Sequence, residues 1–195
     1  MGAELGQWNE WHYEYSLDWH LLQYEPHRQL QAFFQEANRL YLAQPALWEQ
    51  DDSWKGFQWL CADDNQGNTV AFLRLDAEGK PLVVVCNFSP VHRDGYRVGV
   101  PFPGAYAQVF NTEWERFGGS GIGNAEPVKS EYLPCHDQEQ SIAIDLPPMS
   151  AVVFRCARRY PPRRTADKAD KAPALKPATS KKDASAKPGK KSKKK

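Results

Sequence analysis

The side chains best suited to chemistry stand together at the start of the chain, in MGAELGQWNEWHYEYSLDWHLL (residues 1–22). Four carboxylates, Glu4, Glu10, Glu14 and Asp18, alternate there with the indoles of Trp8, Trp11 and Trp19. Carboxylates perform acid–base or nucleophilic work when two are held at a fixed separation and one is desolvated enough to keep its proton. A single loop with no helix or strand before it does not supply that rigidity. These four are therefore candidates by type only, and no catalytic residue is assigned.

Two other stretches invite a chemical reading. The loop FGGSGIGN (117–124) is rich enough in glycine to suggest a phosphate cradle. Such a cradle needs a strand before it and a helix N-terminus after it, whereas Ala125-Glu126-Pro127 follows here. The glycines read instead as backbone shapes that side chains forbid. Cys61, Cys86, Cys135 and Cys156 are widely spaced, without a C-x-x-C or a paired-histidine pattern, so no metal site and no cofactor is assigned. Three of them, Cys61, Cys86 and Cys156, lie in apolar runs and read as small core residues of a reducing compartment.

The elements that must position these residues fall into three zones. Pro26 suits a first helical turn, and Leu30, Phe33, Phe34, Ala37, Leu40 and Tyr41 recur at three- and four-residue intervals. The pattern predicts an amphipathic helix over about 26–43, ending before Pro45. From Gly56 the period changes to two. The runs 57–61, 69–75, 81–88, 95–100, 105–111, 141–146 and 150–156 are short, apolar and β-branched, with turn-rich ADDNQGN and DAEGK separating the first three. That series predicts a mainly β fold, an antiparallel sandwich or barrel.

Charge divides the chain again. Residues 158–195 hold 15 Lys or Arg against 3 Asp, while residues 1–157 hold 10 basic and 21 acidic side chains, so the net charge of +1 conceals two opposite halves. The basic end alternates Ala, Pro, Lys, Ser and Asp, cannot bury enough surface to offset its chain entropy, and reads as disordered. Its lysines suit weak, salt-sensitive binding of a polyanion through counterion release, and a simply solvated tail is the other reading. No run approaches the roughly 18 apolar residues of a membrane span, and the first residues lack the basic-then-apolar order of a secretion signal. A cytoplasmic location is the expectation.

The motifs themselves resemble a known family. M-G-x-E-x-G-Q (Met1, Gly2, Glu4, Gly6, Gln7), then Glu10-Trp11 and S-L-D-W-H-L-L (Ser16–Leu22), resemble the end of the catalytic barrel in glycogen (1,4-alpha-glucan) branching enzymes of the alpha-amylase superfamily. There they close the last barrel strand and lead into the last helix. V-V-C-N-F-S-P-V (84–91) with G-Y-R-V-G-V (95–100), the glycine-rich stretch 111–124 and L-P-P-M-S-A-V-V-F (146–154) resemble that family's C-terminal β domain. The resemblance runs from Met1 to about Cys156.

It implies an amylase-type C-terminal all-β sandwich (51–157) preceded by the last loop and helix of a (β/α)8 barrel (1–50), with the basic tail (158–195) outside the family pattern. A chain that opens on its most site-like segment reads as cut from a longer one. The implied reaction cuts an alpha-1,4 glucan and re-attaches the piece through an alpha-1,6 bond. It proceeds by double displacement, which needs a carboxylate nucleophile and a carboxylic acid about 5 Å apart. In the family those groups stand on earlier barrel strands, whose motifs this sequence does not contain, so it is expected to be silent alone.

The implied partners are alpha-glucan (glycogen) and the missing barrel, with no membrane. Glu4, Glu10 and Trp11 become candidate glucan contacts, the indole offering a flat face to a sugar ring and the carboxylates accepting hydrogen bonds from hydroxyls. Next to them His12-Tyr13-Glu14 replaces the usual Asn-His-Asp. A packing role at the rim between barrel and β domain is the competing reading, and it is favoured for Trp19. Two alternatives complete the set: a stand-alone, non-catalytic glucan-binding β domain, and a polyanion-binding protein acting through its tail. In the first reading Phe33, Phe34, Leu40 and Tyr41 are expected to face water, because their partner strands are elsewhere.

Overall fold

A computed structural model describes residues 1–10 and 12–161. Eight strands follow one helix, α1 (Glu25–Ala43): β1 (Phe57–Asp64), β2 (Thr69–Leu75), β3 (Pro81–Asn87), β4 (Arg93–Val100), β5 (Gly104–Asn111), β6 (Val128–Lys129), β7 (Gln140–Leu146) and β8 (Ser150–Arg159). Six form one sheet in the order β1-β2-β3-β8-β5-β6, and β4 pairs with β7 in a second. Every pairing is antiparallel. All seven runs read from the period-two pattern are strands. The two-residue β6 escaped that reading because so short a run has no period.

The apolar stretch Pro81–Cys86 is unbroken because β3 is buried on both faces. Val83 and Val85 point into a core closed from the other side by Val98 and Val100 of β4 and Ile142, Ile144 and Leu146 of β7. Leu82 and Val84 point the opposite way, into a second cluster with Phe110 and Val153. On β8 the same alternation sends Val152 and Phe154 to the first core and Val153 to the second. On β5, Tyr106 faces the first core and Phe110 the second, and the register shift between Gln108 and Phe110 makes that switch.

Helix α1 covers the second cluster. Phe33, Ala37 and Leu40 form one stripe and pack there beside Leu47, Phe72, Trp114 and Phe117. The Phe33 ring lies 5.8 Å from Phe110 and 5.6 Å, edge-on, from Phe117. The expectation that Phe33 and Leu40 face water is therefore corrected: the sheet's own outer face is their partner. Phe34 is half-buried, its ring 5.6 Å from that of Phe33, while Tyr41 and Leu42 remain exposed.

The glycine-rich loop is a structural one. Gly118 and Gly121 take φ of 85° and 76°, which side chains resist. Asn111 donates to Ile122 O at 2.8 Å, and Asn124 donates to Gln108 Oε1 and Asp145 O, each at 2.9 Å. The segment runs on to β6 with no helix N-terminus after it. Among the described residues no helix is long and apolar enough to cross a membrane. Strand β8 runs through Arg159, which pairs with Gly104. The rest of the basic tail, from residue 162, lies outside the described residues.

Two tyrosines fasten the sandwich. Tyr96 on β4 shares a hydrogen bond of 2.9 Å with Thr69 on β2, whose hydroxyl also donates to Asp64 at 2.5 Å. Tyr106 is fully buried, and its hydroxyl donates to Phe102 O at 2.8 Å and accepts from Phe102 N at 3.3 Å. Burial, with the neighbouring Cys156 thiol adding to it, pushes the Tyr106 hydroxyl far above its ordinary value of 10.0. Burial also raises Tyr96. Below pH 10 both forms of the chain hold these protons. Above it the unfolded chain releases them while the folded chain keeps them, so stability falls as pH rises. Tyr106→Phe should cost about 1 kcal/mol at neutral pH through the lost hydrogen bonds. It should also flatten the loss of stability above pH 10, with Tyr96 sustaining the remainder. Urea melts at pH 7 and across the alkaline range measure both.

Candidate functional site

The opening segment is shaped by glycine at two positions. Gly2 and Gly6 flank a 3-10 turn, Ala3–Leu5, with φ of 84° and 61°. A Cβ on Gly2 would stand 2.5 Å from the Gln7 side-chain nitrogen, so the close approach requires glycine. Leu5 and Leu21 are fully buried and anchor the two ends of the loop. His27 of α1 lies 2.6 Å from Leu5 O through Nδ1. A carbonyl accepts only, so Nδ1 carries the proton in that bond. Across the loop, Gln7 Oε1 accepts from the Asp18 amide at 2.9 Å.

These ties leave a hollow of about 300 Å³ lined by Gln7, Asn9, Glu10, His12, Tyr15 and Asp18, among others. Its rim is aromatic. Trp8 is 74% exposed, its ring 5.9 Å from the His27 imidazole. The His12 ring stacks on Tyr13 at 5.6 Å and tilts against Tyr15 at 5.0 Å. Of the three candidate contacts, Glu10 lines the hollow. Glu4 sits half-buried in the 3-10 turn, apart from the lining. Trp11 lies outside the described residues. Trp19 is exposed at the start of a second 3-10 turn, Trp19–Gln23. Asn9, His12 and Tyr15 were not singled out from the sequence, although they stand between the residues that were.

The arrangement offers hydrogen-bond acceptors, an amide side chain and flat rings around a small concavity, which suits a polar, uncharged, ring-shaped ligand. Among the described residues no group of three or more His, Cys, Asp or Glu is arranged to hold a metal ion. The four thiols are free. Burial raises those of Cys86, Cys135 and Cys156, which disfavours the reactive thiolate.

Architecture and hollow together define an accessory β-sandwich domain of a carbohydrate-active type, joined through one helix to a polar, aromatic loop. The chain belongs to the family described as alpha amylase, C-terminal all-beta domain, whose pattern matches residues 59–157. It is 45% identical over 157 residues to the 1,4-alpha-glucan branching enzyme GlgB of Pseudomonas putida, a match covering 80% of this chain and 21% of that enzyme. Against the enzyme of the same name from Thermosynechococcus vestitus the identity is 42% over 159 residues, covering 81% and 21%. The chain thus spans about a fifth of the length of the curated relatives it matches and is homologous to their C-terminal domain. Among solved structures, the catalytic module of the multi-modular glycogen-degrading pneumococcal virulence factor SpuA aligns with a TM-score of 0.45 at 13% identity. That alignment covers 73% of this chain and 20% of the other.

The Gln7–Asp18 bond spans the mouth of the loop, and its removal should be felt locally. Gln7→Ala is expected to raise amide exchange at Asp18 and its neighbours by about tenfold, since one net hydrogen bond is worth about 1 kcal/mol. Exchange within β3 and β8 should be unchanged. Hydrogen-exchange mass spectrometry on the full chain reads both.

Proposed function

We propose that the chain is the C-terminal portion of a 1,4-alpha-glucan branching enzyme, contributing the β domain and part of a glucan-contacting rim. The observation that carries this reading is the 45% identity to a branching enzyme over 157 residues, which begins in the opening segment as well as in the sandwich. In this reading the nucleophile and the acid of the double displacement stand on the barrel. The opening loop holds the chain being cut or received. Glu10 accepts hydrogen bonds from sugar hydroxyls, the indole of Trp11 offers its face to a ring, and Glu4 stabilises the turn that carries them.

The sandwich has a mechanical part in that work. It clamps α1 through Phe33, Ala37 and Leu40, and α1 in turn holds the loop through His27. Binding groups on a loop are useful only to the extent that a rigid element fixes them, because a misplacement of about 1 Å is costly in rate. The domain boundaries proposed are residues 1–50 for the barrel end and 51–157 for the β domain.

Two measurements test the reading. The purified chain should leave the iodine absorbance of amylose unchanged. A chimera in which this chain replaces the matching 157 residues of the Pseudomonas putida enzyme should lower it. A chimera that folds, binds glycogen and still does not branch would overturn the proposal. Within the active chimera, Glu10→Gln and Trp11→Ala should each reduce kcat/KM by about tenfold, the loss of one binding contact.

A further inference from the structure

A second surface, on the far side of the sandwich from any residue used above, has the features of a binding site. The loop 50–56 lies against the edge strand β1 and displays Trp54 with 90% of its surface exposed. An indole so placed is at odds with the behaviour of apolar side chains, and exposed aromatic surface commonly marks an interaction site. The loop is not loose. Gln50 Nε2 donates to Asp76 O at 2.6 Å, and Glu49 Oε2 accepts from the Ala77 amide at 2.9 Å. The Arg74 guanidinium donates to Gly56 O at 3.2 Å, Leu47 O at 3.1 Å and Asp51 Oδ1 at 2.8 Å. Gly56 passes so close to Gln50 that a Cβ would stand 2.4 Å from its carbonyl oxygen.

Between this loop and the strand lies a concavity of about 430 Å³ lined by Gln50, Asp51, Asp52, Trp54, Phe57 and Arg74, with Ser53. Its aromatic floor continues along β1. Phe57 stacks on Phe72 at 5.3 Å and meets Trp59 edge-on at 4.8 Å, and Trp59 is itself 54% exposed. The charges around it balance. Asp51 is paired with Arg74 at 2.8 Å, and Asp52 is three residues from Lys55 in the same loop. A site of balanced charge with flat apolar faces and hydrogen-bonding edges selects against an ionic ligand and for a neutral one with an apolar face and a polar rim. A pyranose ring has that form.

We infer that Trp54, with Phe57, Trp59 and the Asp51–Arg74 pair, forms an α-glucan-binding site separate from the opening loop. It holds a chain by ring stacking on the indole while Asp51, Asp52 and Gln50 take the hydroxyls. The inference rests on the glucan reading for the α linkage of its ligand and on this geometry for its place.

The test resolves the two sites individually. The full chain is produced with 5-fluorotryptophan, and the resonances of its seven tryptophans are assigned from single Trp→Phe variants. It is then titrated with maltoheptaose and, separately, with cellohexaose. The Trp54 resonance is expected to move saturably with maltoheptaose and less with cellohexaose. Trp54→Ala, which removes an exposed side chain and leaves the fold intact, should weaken maltoheptaose binding followed at Trp59 by about tenfold. If the resonances of Trp8 or Trp11 move and that of Trp54 does not, this site is refuted while the opening-loop reading stands. If Trp54 moves and the opening tryptophans do not, this site stands and the opening loop is the one refuted. An equal response to both sugars would overturn the α-glucan assignment.

Discussion

Everything in this chain leans on the two-sided burial of β3 and β8. Each strand carries alternating apolar side chains to two different cores. Val83, Val85, Val152 and Phe154 meet the small sheet, and Leu82, Val84 and Val153 meet the helix. A full burial of one such side chain is worth roughly 1.5–3 kcal/mol, so the two central strands contribute to both layers at once. The polar groups that close the strand ends serve the same centre. Asn87 is 1% exposed and donates to Val91 O at 2.9 Å and Pro147 O at 2.8 Å, while its Oδ1 accepts from the Ser89 amide. That single side chain joins the exit of β3 to the turn that enters β8, and a buried amide so fully satisfied fixes the register of both.

From that centre the dependence runs outward in one direction. The sheet holds α1 through a cluster of aromatic edges, with Phe33, Phe110, Trp114 and Phe117 between 5.6 and 5.9 Å apart. The guanidinium of Arg116 lies 4.0 Å over the Trp114 ring and covers its outer side. The helix then holds the opening loop by His27 and by the contact of Gly6 with Leu30, whose Cδ2 would stand 2.9 Å from a Cβ there. Loops keep their shape only through such anchors. The polar hollow is thus two steps removed from the core that stabilises it, and its geometry is softer than that of the sheet.

This order of dependence also explains what the sequence disclosed. The strands were legible because half-buried strands alternate and doubly buried ones are continuously apolar, and both signatures are local. The helix was legible for the same reason. Its destination was not: Phe33 and Leu40 declare an apolar face, but whether a barrel or a sheet receives it depends on residues far along the chain, such as Phe110. The register shift that turns Phe110 toward α1 while Tyr106 faces inward leaves no mark in the local pattern. In the opening segment the residue types were visible and the grouping was not. Glu4 and Glu10 are alike in sequence, and the left-handed glycines around Ala3–Leu5 place one in a turn and the other at the hollow. Trp54 carried no periodic signal at all, since it belongs to a loop, and only its exposure sets it apart.

Two aromatic surfaces on one small domain make sense for a polymeric ligand under the glucan reading. A single stacked ring provides little affinity, because association first loses translational and rotational freedom. A long chain meets that loss once, and each further contact then acts at the high effective concentration set by the chain between the sites. Weak, open platforms at two places are therefore better matched to a branched polysaccharide than one deep pocket, which would retain short products and slow their release. The cost is exposed tryptophan, which favours association between copies of the domain. The structure limits that cost by keeping Trp54 and Trp8 on loops among carboxylates and amides rather than on a continuous apolar face. In the same way Trp59 has the exposed Gln58 as its neighbour on the edge strand. Polar interruption of each aromatic patch keeps it available to a ring with hydroxyls on its rim and unattractive to a wide apolar surface.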